Sequence, residues 1–449
     1  MEIADLSLRV VVLLGTFDYF RVAYYLMSLL RHTHWSRERL ADYQNRKLRE
    51  IVKYAYDHVP FYHDKFLQAR VKPAAIKTVE DLRKLPIVRR DELQIAADKV
   101  ISNEFDVRRL KQVSTSGSTG KPLFMHITAS ENAFRKAKLL RANTVCGQRP
   151  RDKWVVMTAP QHLAHTSRLQ RLLGVYSPIP VSVFDSATAQ LSKIERIRPA
   201  VLDGYSSSLL LLAEEAEKSG LEAIRPRIVI GGAELIDVSS RQYVERVFKA
   251  PFYDEYASIE FERLAWQCEE RTEYHIDADS VFMEFVHGEG AEVACGETGE
   301  IVCTSLFNYA MPLIRYATGD IGRGSTETGC ACGRTFPLMK VVEGRKESVV
   351  VLPDGRSLSP LAIDDCMCAF KYFNQIAQYR FVQRRIDSFR ILFKKKADTV
   401  SEEVMETELL AHVKRILDIG ESEETVEIEF VDEIPLDRTG KIRKVVSEL

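Results

Sequence analysis

Nine consecutive residues, Ser114-Thr115-Ser116-Gly117-Ser118-Thr119-Gly120-Lys121-Pro122, gather hydroxyls, glycines and a lysine into one short segment. Glycine lets successive backbone N–H groups turn toward an anion, hydroxyls add donors and the lysine adds positive charge, so the segment suits a polyphosphate. It is not a P-loop of the G-x-x-x-x-G-K-[ST] form, because Pro122 stands where a magnesium-binding hydroxyl would follow the lysine. A solvated surface loop has the same composition, so the chemistry needs support from elsewhere in the chain.

Further segments supply it in order: Gly231-Gly232-Ala233-Glu234, Tyr256-Ala257-Ser258-Ile259-Glu260, Arg315-Tyr316-Ala317-Thr318-Gly319-Asp320, Gly344-Arg345 and Pro435-Leu436-Asp437-Arg438-Thr439-Gly440-Lys441. Together with the loop they resemble the ordered motifs of the adenylate-forming superfamily, which includes acyl-CoA synthetases and peptide-synthetase adenylation domains. Within it, Cys330-Ala331-Cys332-Gly333-Arg334-Thr335-Phe336-Pro337 and the earlier His58-Val59-Pro60-Phe61-Tyr62 look like the phenylacetate-CoA ligase branch, including relatives encoded with capsular polysaccharide pathways. The resemblance covers nearly the whole chain.

That resemblance implies a carboxylic acid attacking the α-phosphate of ATP, giving an acyl-AMP and pyrophosphate. Residues 114–121 would hold the outer phosphates, and Glu260 would help bind Mg²⁺. Gly232, Ala233, Glu234, Tyr256, Ala257 and Ser258 would line the adenine side, with Asp320 on the ribose hydroxyls and Arg345 beside it. Lys441 would bridge the attacking carboxylate and the α-phosphate, and rotation about Glu347 would withdraw it before the second step. Two residues depart from the family pattern: Glu347 replaces the usual Asp or Lys of the hinge, and Ile259 stands where a Ser or Thr usually precedes the metal glutamate.

The acid is less legible. Ala159–Arg168 carries His162, His165 and Arg168 where aryl-activating relatives have glycine and aromatic residues, which suits a polar or anionic acid unless these side chains face solvent. The acceptor that the resemblance implies is CoA, giving a thioester; an amine, giving an amide in a surface polysaccharide pathway, stays open. Cys268, His275, Cys330 and Cys332 match a Cys, His, Cys, Cys arrangement of the related branch, and three thiolates with one imidazole complete a structural zinc shell with no open position. Unrelated buried cysteines are the alternative. Cys366 and Cys368 lie in a helical pattern that aims them poorly at one metal, so core packing is expected there.

These residues need a frame. The chain has 449 residues, 45% hydrophobic, with net charge -1, which provides a large core and excludes a global attraction to nucleic acid or acidic lipid. Strand-like runs at 154–158, 179–184, 227–232 and 300–306 alternate with helical patterns at 207–219 and 238–249, predicting an α/β domain with substantially parallel sheet. A helical N-terminal region (1–75) precedes it, Pro60 breaking the helical run. After Gly344 the texture shifts to hairpins, predicting a large domain over 1–344, with the ATP and acid site in 110–344, and a small mobile α+β domain over 345–449.

Residues 8–30 are apolar but interrupted by Arg9, Asp18 and Arg21, predicting an amphipathic helix with at most a weak membrane-surface contact rather than a span. Eight cysteines at uneven spacing fit a reducing compartment, here taken as the cytoplasm. Two other classes of reading remain: a non-catalytic nucleotide-binding scaffold, and a kinase-like enzyme that would release ADP rather than AMP.

Overall fold

The computed structural model describes residues 18–114, 123–159, 166, 168–288, 290–396, 400–417, 425–436 and 441–449. The parallel part of the main sheet forms where β-branched, apolar runs are bounded by turn residues. It comprises β3 (Trp154–Thr158), β4 (Pro178–Ser182), β5 (Val201–Tyr205), β6 (Ile228–Gly232) and β7 (Phe252–Ser258), in the order β4-β3-β5-β6-β7, after a separate ribbon of β1 (Lys111–Ser114) and β2 (Phe124–Ile127). Residues 154–158 and 228–232 match their expected strands closely.

Two of the parallel crossovers are made by amphipathic helices with side-chain caps. Ser186 caps Ala187–Ile197 and Asp237 caps Val238–Phe248, each accepting an orphan backbone N–H of the first turn. With Ser206–Lys218, these helices cover one face of the sheet, burying Leu202, Val229, Leu209, Leu212 and Phe248 in one core. At about 1.5–3 kcal/mol per fully buried large apolar side chain, this face holds the strands in register.

Helix Ala129–Val145 covers the opposite face. Its capping box joins Thr128 to Glu131, and Glu131 Oε1 reaches across to accept from the backbone N–H groups of Tyr309 and Ala310 at 2.5 and 3.0 Å.

From β7 onward the sheet turns antiparallel, which the sequence pattern did not anticipate. β8 (Glu262–Gln267), β9 (Tyr274–Ile276), β10 (Val281–His287), β11 (Ala291–Glu292), β12 (Thr298–Ser305), β13 (Tyr316–Gly324) and β14 (Leu338–Arg345) continue it in the order β7-β8-β9-β14-β13-β12-β10-β11. Pairing β9 with β14 closes across more than sixty residues of chain, and local hydrophobic period carries no information about it.

At the N-terminal side, residues 18–32 form a helix whose inner face packs Leu26 and Leu29, with Tyr25 set edge-on to Phe134. Phe20, Tyr24 and Met27 project outward and are 56% or more exposed. Pro60 does end one helix (Arg37–His58), but it also opens the next (Pro60–Gln68) as its N1 residue, a position where the missing N–H costs nothing. Among the described residues no helix is long and apolar enough to cross a membrane.

The last segment builds its own sheet in the order β19-β18-β17-β20, from β17 (Ile376–Arg385), β18 (Ser388–Lys395), β19 (Thr425–Phe430) and β20 (Val445–Ser447). Helices Pro360–Cys368 and Glu402–Leu417 pack on it, and Phe381, Phe389, Phe393, Met405 and Leu409 form a core distinct from those of the main sheet. The expected Pro-Asp-Gly hairpin is present as β15 (Val350–Val351) paired with β16 (Ser357–Leu358). Gly344, at the end of the main sheet, has φ +117°, and an added Cβ would stand 2.7 Å from Pro360, so this crossing of the chain requires glycine.

Candidate active site

Antiparallel pairing sets Asp320 on β13 directly opposite Arg345 on β14, and the register makes their contact. Arg345 Nε lies 2.8 Å from Asp320 Oδ1, and the Tyr256 hydroxyl donates to Oδ2 at 2.7 Å. Burial pushes the Asp320 carboxyl above its ordinary range, while Arg345 and the Tyr256 hydrogen bond draw it partly back. Gly319, at φ +79°, lets the strand bend so that the Asp320 N–H bonds Thr318 Oγ1 at 3.2 Å. Each carboxylate oxygen has a second lone pair, so a carboxylate with one partner on each oxygen keeps acceptor capacity for two adjacent hydroxyls.

Glu260 follows β7 and is buried rather than a surface charge. The Tyr316 hydroxyl donates to its Oε1 at 3.0 Å, and Arg135 fixes its backbone by donating to the Ile259 and Glu260 carbonyls at 2.6 and 3.1 Å. The departure at Ile259 thus leaves the backbone of this turn anchored. Ser258 Oγ accepts from the Phe261 N–H at 3.3 Å, inside the same turn, and Ala257 is exposed.

Gly231 and Gly232 end β6. A Cβ on Gly231 would stand 2.0 Å from the Phe252 ring, and one on Gly232 2.8 Å from Glu255 Cγ, so close packing between β6 and β7 accounts for both glycines. Ala233 next takes a left-handed φ of +66°, which aims Glu234 away from the sheet. Glu234 Oε2 accepts from the Ser207 N–H at 2.9 Å and Oε1 from the Ile442 N–H at 2.7 Å. That second bond ties the C-terminal segment to β6. Lys441 then sits with its ammonium 5.3 Å from the Tyr205 ring centre, and its charge lowers both the Glu234 and Asp320 carboxyls against the larger upward push of burial.

Ser114 closes β1 and is exposed; residues 115–122, with Thr115, Ser116, Gly117, Ser118, Thr119, Gly120 and Lys121, lie outside the described residues, as do His162, His165 and 437–440. Arg168 opens the helix Arg168–Leu173, and Glu347 falls in the short turn Lys346–Ser348; neither side chain is among those described.

The cysteine and histidine set does converge. Cys268 follows β8, His275 lies on β9, and Cys330 and Cys332 sit in the loop before β14, with one ligand atom from each all within 4.8 Å of one another. Cys268 and Cys330 sulfurs are 3.6 Å apart and Cys332 Sγ is 3.3 Å from His275 Nε2. Zinc–sulfur bonds of about 2.3 Å at tetrahedral angles call for sulfurs somewhat under about 4 Å apart, so the donor set fits that ion. Burial holds the His275 imidazole neutral, its pKa down to about 4, the form that ligates. Cys366 and Cys368 are only partly buried; Met367 between them is the core residue.

Sequence reading missed several groups here. Tyr205 and Arg135 carry no motif. Asp203, Glu255 and Arg263 form a buried charged group, with Arg263 paired to Glu255, and Trp154 Nε1 donating to Asp203 at 3.1 Å. Burial raises Asp203 to about 6 and Glu255 to about 8. An aspartate inside the apolar strand Val201-Leu202-Asp203-Gly204-Tyr205 was the available signal. Asp237 and Lys444 were missed too; an N-cap aspartate and a near-terminal lysine look ordinary in sequence.

No family model matches the chain. It is similar to the phenylacetate-coenzyme A ligase of Thermus thermophilus (28% identity over 363 residues, 78% of this chain and 79% of the relative). It is also similar to the protein CapK of Staphylococcus aureus (20% over 421 residues, 91% and 90%). Among solved structures, 2-hydroxyisobutyryl-CoA ligase in its postadenylation state overlays with a TM-score of 0.77 at 20% identity, covering 93% of this chain and 91% of the other. In its thioesterification state the same ligase gives 0.62. The chain has the fold of the adenylate-forming ligases, and its sequence is similar to phenylacetate-coenzyme A ligases over most of its length.

Proposed function

Given a chain similar to phenylacetate-CoA ligases and folded like the adenylate-forming ligases, we propose that it activates a carboxylic acid with ATP as an acyl-AMP, releases pyrophosphate, and transfers the acyl group to CoA as a thioester. One contact carries the reading: the Ile442 N–H donates to Glu234, which brings Lys441 within electrostatic reach of Asp320. An ammonium group there opposes negative charge as it develops on the α-phosphate and the attacking carboxylate.

In this reading Asp320, oriented by Arg345 and Tyr256, accepts from the ribose hydroxyls. The 114–121 loop holds the outer phosphates. Glu260 is the residue that would hold Mg²⁺, which offsets phosphate charge when bound. Cys268, His275, Cys330 and Cys332 would hold a structural zinc, a clip between β8, β9 and the loop before β14. The large unit ends at Gly344 and the small unit spans 345–449, turning about Glu347; the separate core of the last segment and the glycine demanded at 344 support that division. The protein works in the cytoplasm, and Phe20, Tyr24 and Met27 provide at most a weak membrane-surface contact.

Pyrophosphate exchange into ATP, run across aryl, fatty, amino and uronic acids, tests the proposal. Exchange that requires one class of acid and collapses in Lys441→Ala is the expected result; absence of exchange with every acid sinks it and leaves the scaffold. A second reading, amide formation in a surface polysaccharide pathway, draws on the similarity to CapK. Offering CoA and then amines to the activated acid separates the two.

A further inference from the structure

Lys444 lies between two carboxylates that belong to different cores. Its ammonium is 3.1 Å from Asp237 Oδ2 and 2.9 and 3.0 Å from the two oxygens of Asp364. Asp237 caps the helix after β6, whereas Asp364 lies in Pro360–Cys368 and Lys444 immediately precedes β20. Both aspartates are 1% exposed. With Cys368 they form a group that could hold a metal ion, but the ammonium already supplies the cation.

Each half of this cluster is satisfied by its own side. Asp237 accepts from Ser239 Oγ at 2.5 Å, Ser240 N–H at 2.8 Å and Ser240 Oγ at 2.6 Å, and stands at a helix N-terminus, which favours its charge. Asp364 accepts from the Tyr379 hydroxyl on β17 and keeps Lys444, so parting the two sides breaks one ion pair and the Cys368 contact with Asp237, and strands no buried charge. A buried pair that loses one partner outright is far costlier.

The same segment carries Lys441. Phe381 N–H donates to the Lys444 carbonyl at 2.7 Å and Arg380 Nε to the Arg443 carbonyl at 3.0 Å, fixing 443–444 against β17. Three residues span at most about 11 Å, so wherever Lys444 docks, Lys441 docks beside it. The better overlay on the postadenylation state than on the thioesterification state of 2-hydroxyisobutyryl-CoA ligase agrees with a docked arrangement.

We infer that Asp237 and Lys444 are positioning residues, a reversible latch between the two cores that aligns Lys441 for acyl-AMP formation and must open for transfer of the acyl group. This rests on the proposed adenylation chemistry, yet it has a readout independent of it.

Asp237→Asn keeps a competent N-cap and removes the charge that faces Lys444. Hydrogen exchange of the full chain, without substrate, is expected to rise at least threefold in peptides covering 234–241 and 441–447, with β17 and β18 unchanged. Equal exchange in wild type and variant overturns the latch. With an acid found by pyrophosphate exchange, the variant should lose about tenfold in exchange rate while thioester formation from supplied acyl-AMP stays the same or quickens. Equal slowing of both steps also overturns it. Should no acid support exchange in the wild type, the adenylation reading fails, and the hydrogen-exchange comparison still decides whether the latch exists. Asp237→Glu should restore protection.

Discussion

Two buried charge clusters in this molecule use similar residues to opposite ends. Arg141, on helix Ala129–Val145, is fully buried and pairs with both Asp277 and Asp279, 2.6 Å from the latter, while His32 Nδ1 meets Asp279 at 2.8 Å. All of it lies on the main-sheet side, and so do its remaining partners: Trp266 Nε1 donates to Asp277 Oδ1 at 2.8 Å and Lys138 Nζ stands 3.7 Å from Asp277 Oδ2, while Arg141 Nε and one oxygen of each aspartate lack hydrogen-bond partners. The Lys444 cluster joins two cores, and both of its aspartates keep hydroxyl or amide donors from their own side. A network in one core fixes a frame, whereas a network divided between two cores can be made and broken. Burial alone does not tell them apart; the location of the spare partners does.

The comparison can be broken first at Arg141. Arg141→Met should destabilise the chain by about 3–5 kcal/mol, because two buried carboxylates lose the guanidinium paired with both, leaving only Lys138, at 3.7 Å, as an ion-pair partner of Asp277 and only His32 as one of Asp279, and urea unfolding would show it. Asp237→Asn should cost about 1 kcal/mol or less by the same measurement; an equal loss in the two variants would erase the distinction. The cysteine and histidine set belongs with the main sheet. One zinc per chain is expected, and its removal by chelation or in Cys330→Ser should lower stability by roughly 4 kcal/mol where free zinc exceeds its dissociation constant 1,000-fold. Metal analysis alongside thermal melts checks this.

Lys441→Ala tests the C-terminal segment. It should lower pyrophosphate exchange by about 10²–10³-fold, or about 2.7–4 kcal/mol of barrier, with an unchanged melting point. The smallest effect concerns pH. The Asp279 carboxyl is held down to about 2, by Arg141 first and then by the His32 hydrogen bond, against the opposing push of burial. Its ordinary value is 3.8, so its contribution to stability is complete above about pH 4 and is lost as pH falls through about 2. Acid titrations of unfolding should therefore slope less between pH 4 and 2 in Asp279→Asn than in wild type.

Much of the frame was legible because it is local. Val155 and Val156 in a five-residue apolar run, the helical patterns at 207–219 and 238–249, and the Pro-Asp-Gly turn before Ser357 each express a short-range preference that the fold keeps. The motif residues Asp320, Arg345, Tyr256 and Glu234 were found through resemblance, and the Asp320–Arg345 contact follows from the β13–β14 pairing. What stayed hidden is long-range and polar. The β9–β14 pairing, the meeting of Asp237 with Lys444 across 207 positions, and the Asp203–Glu255–Arg263 group depend on which distant elements share a surface, and neither period nor propensity reports that.

The five parallel strands leave a further consequence. Because β3, β5, β6 and β7 run the same way, the chain departs from each of them at the same rim, where Ser206, Glu234 and Glu260 follow β5, β6 and β7. The helix faces buried against the sheet lie outside those departures, apart from caps such as Asp237. Such an architecture lets inheritance rewrite the connecting segments one at a time, altering what the rim can bind while the scaffold beneath is passed on intact.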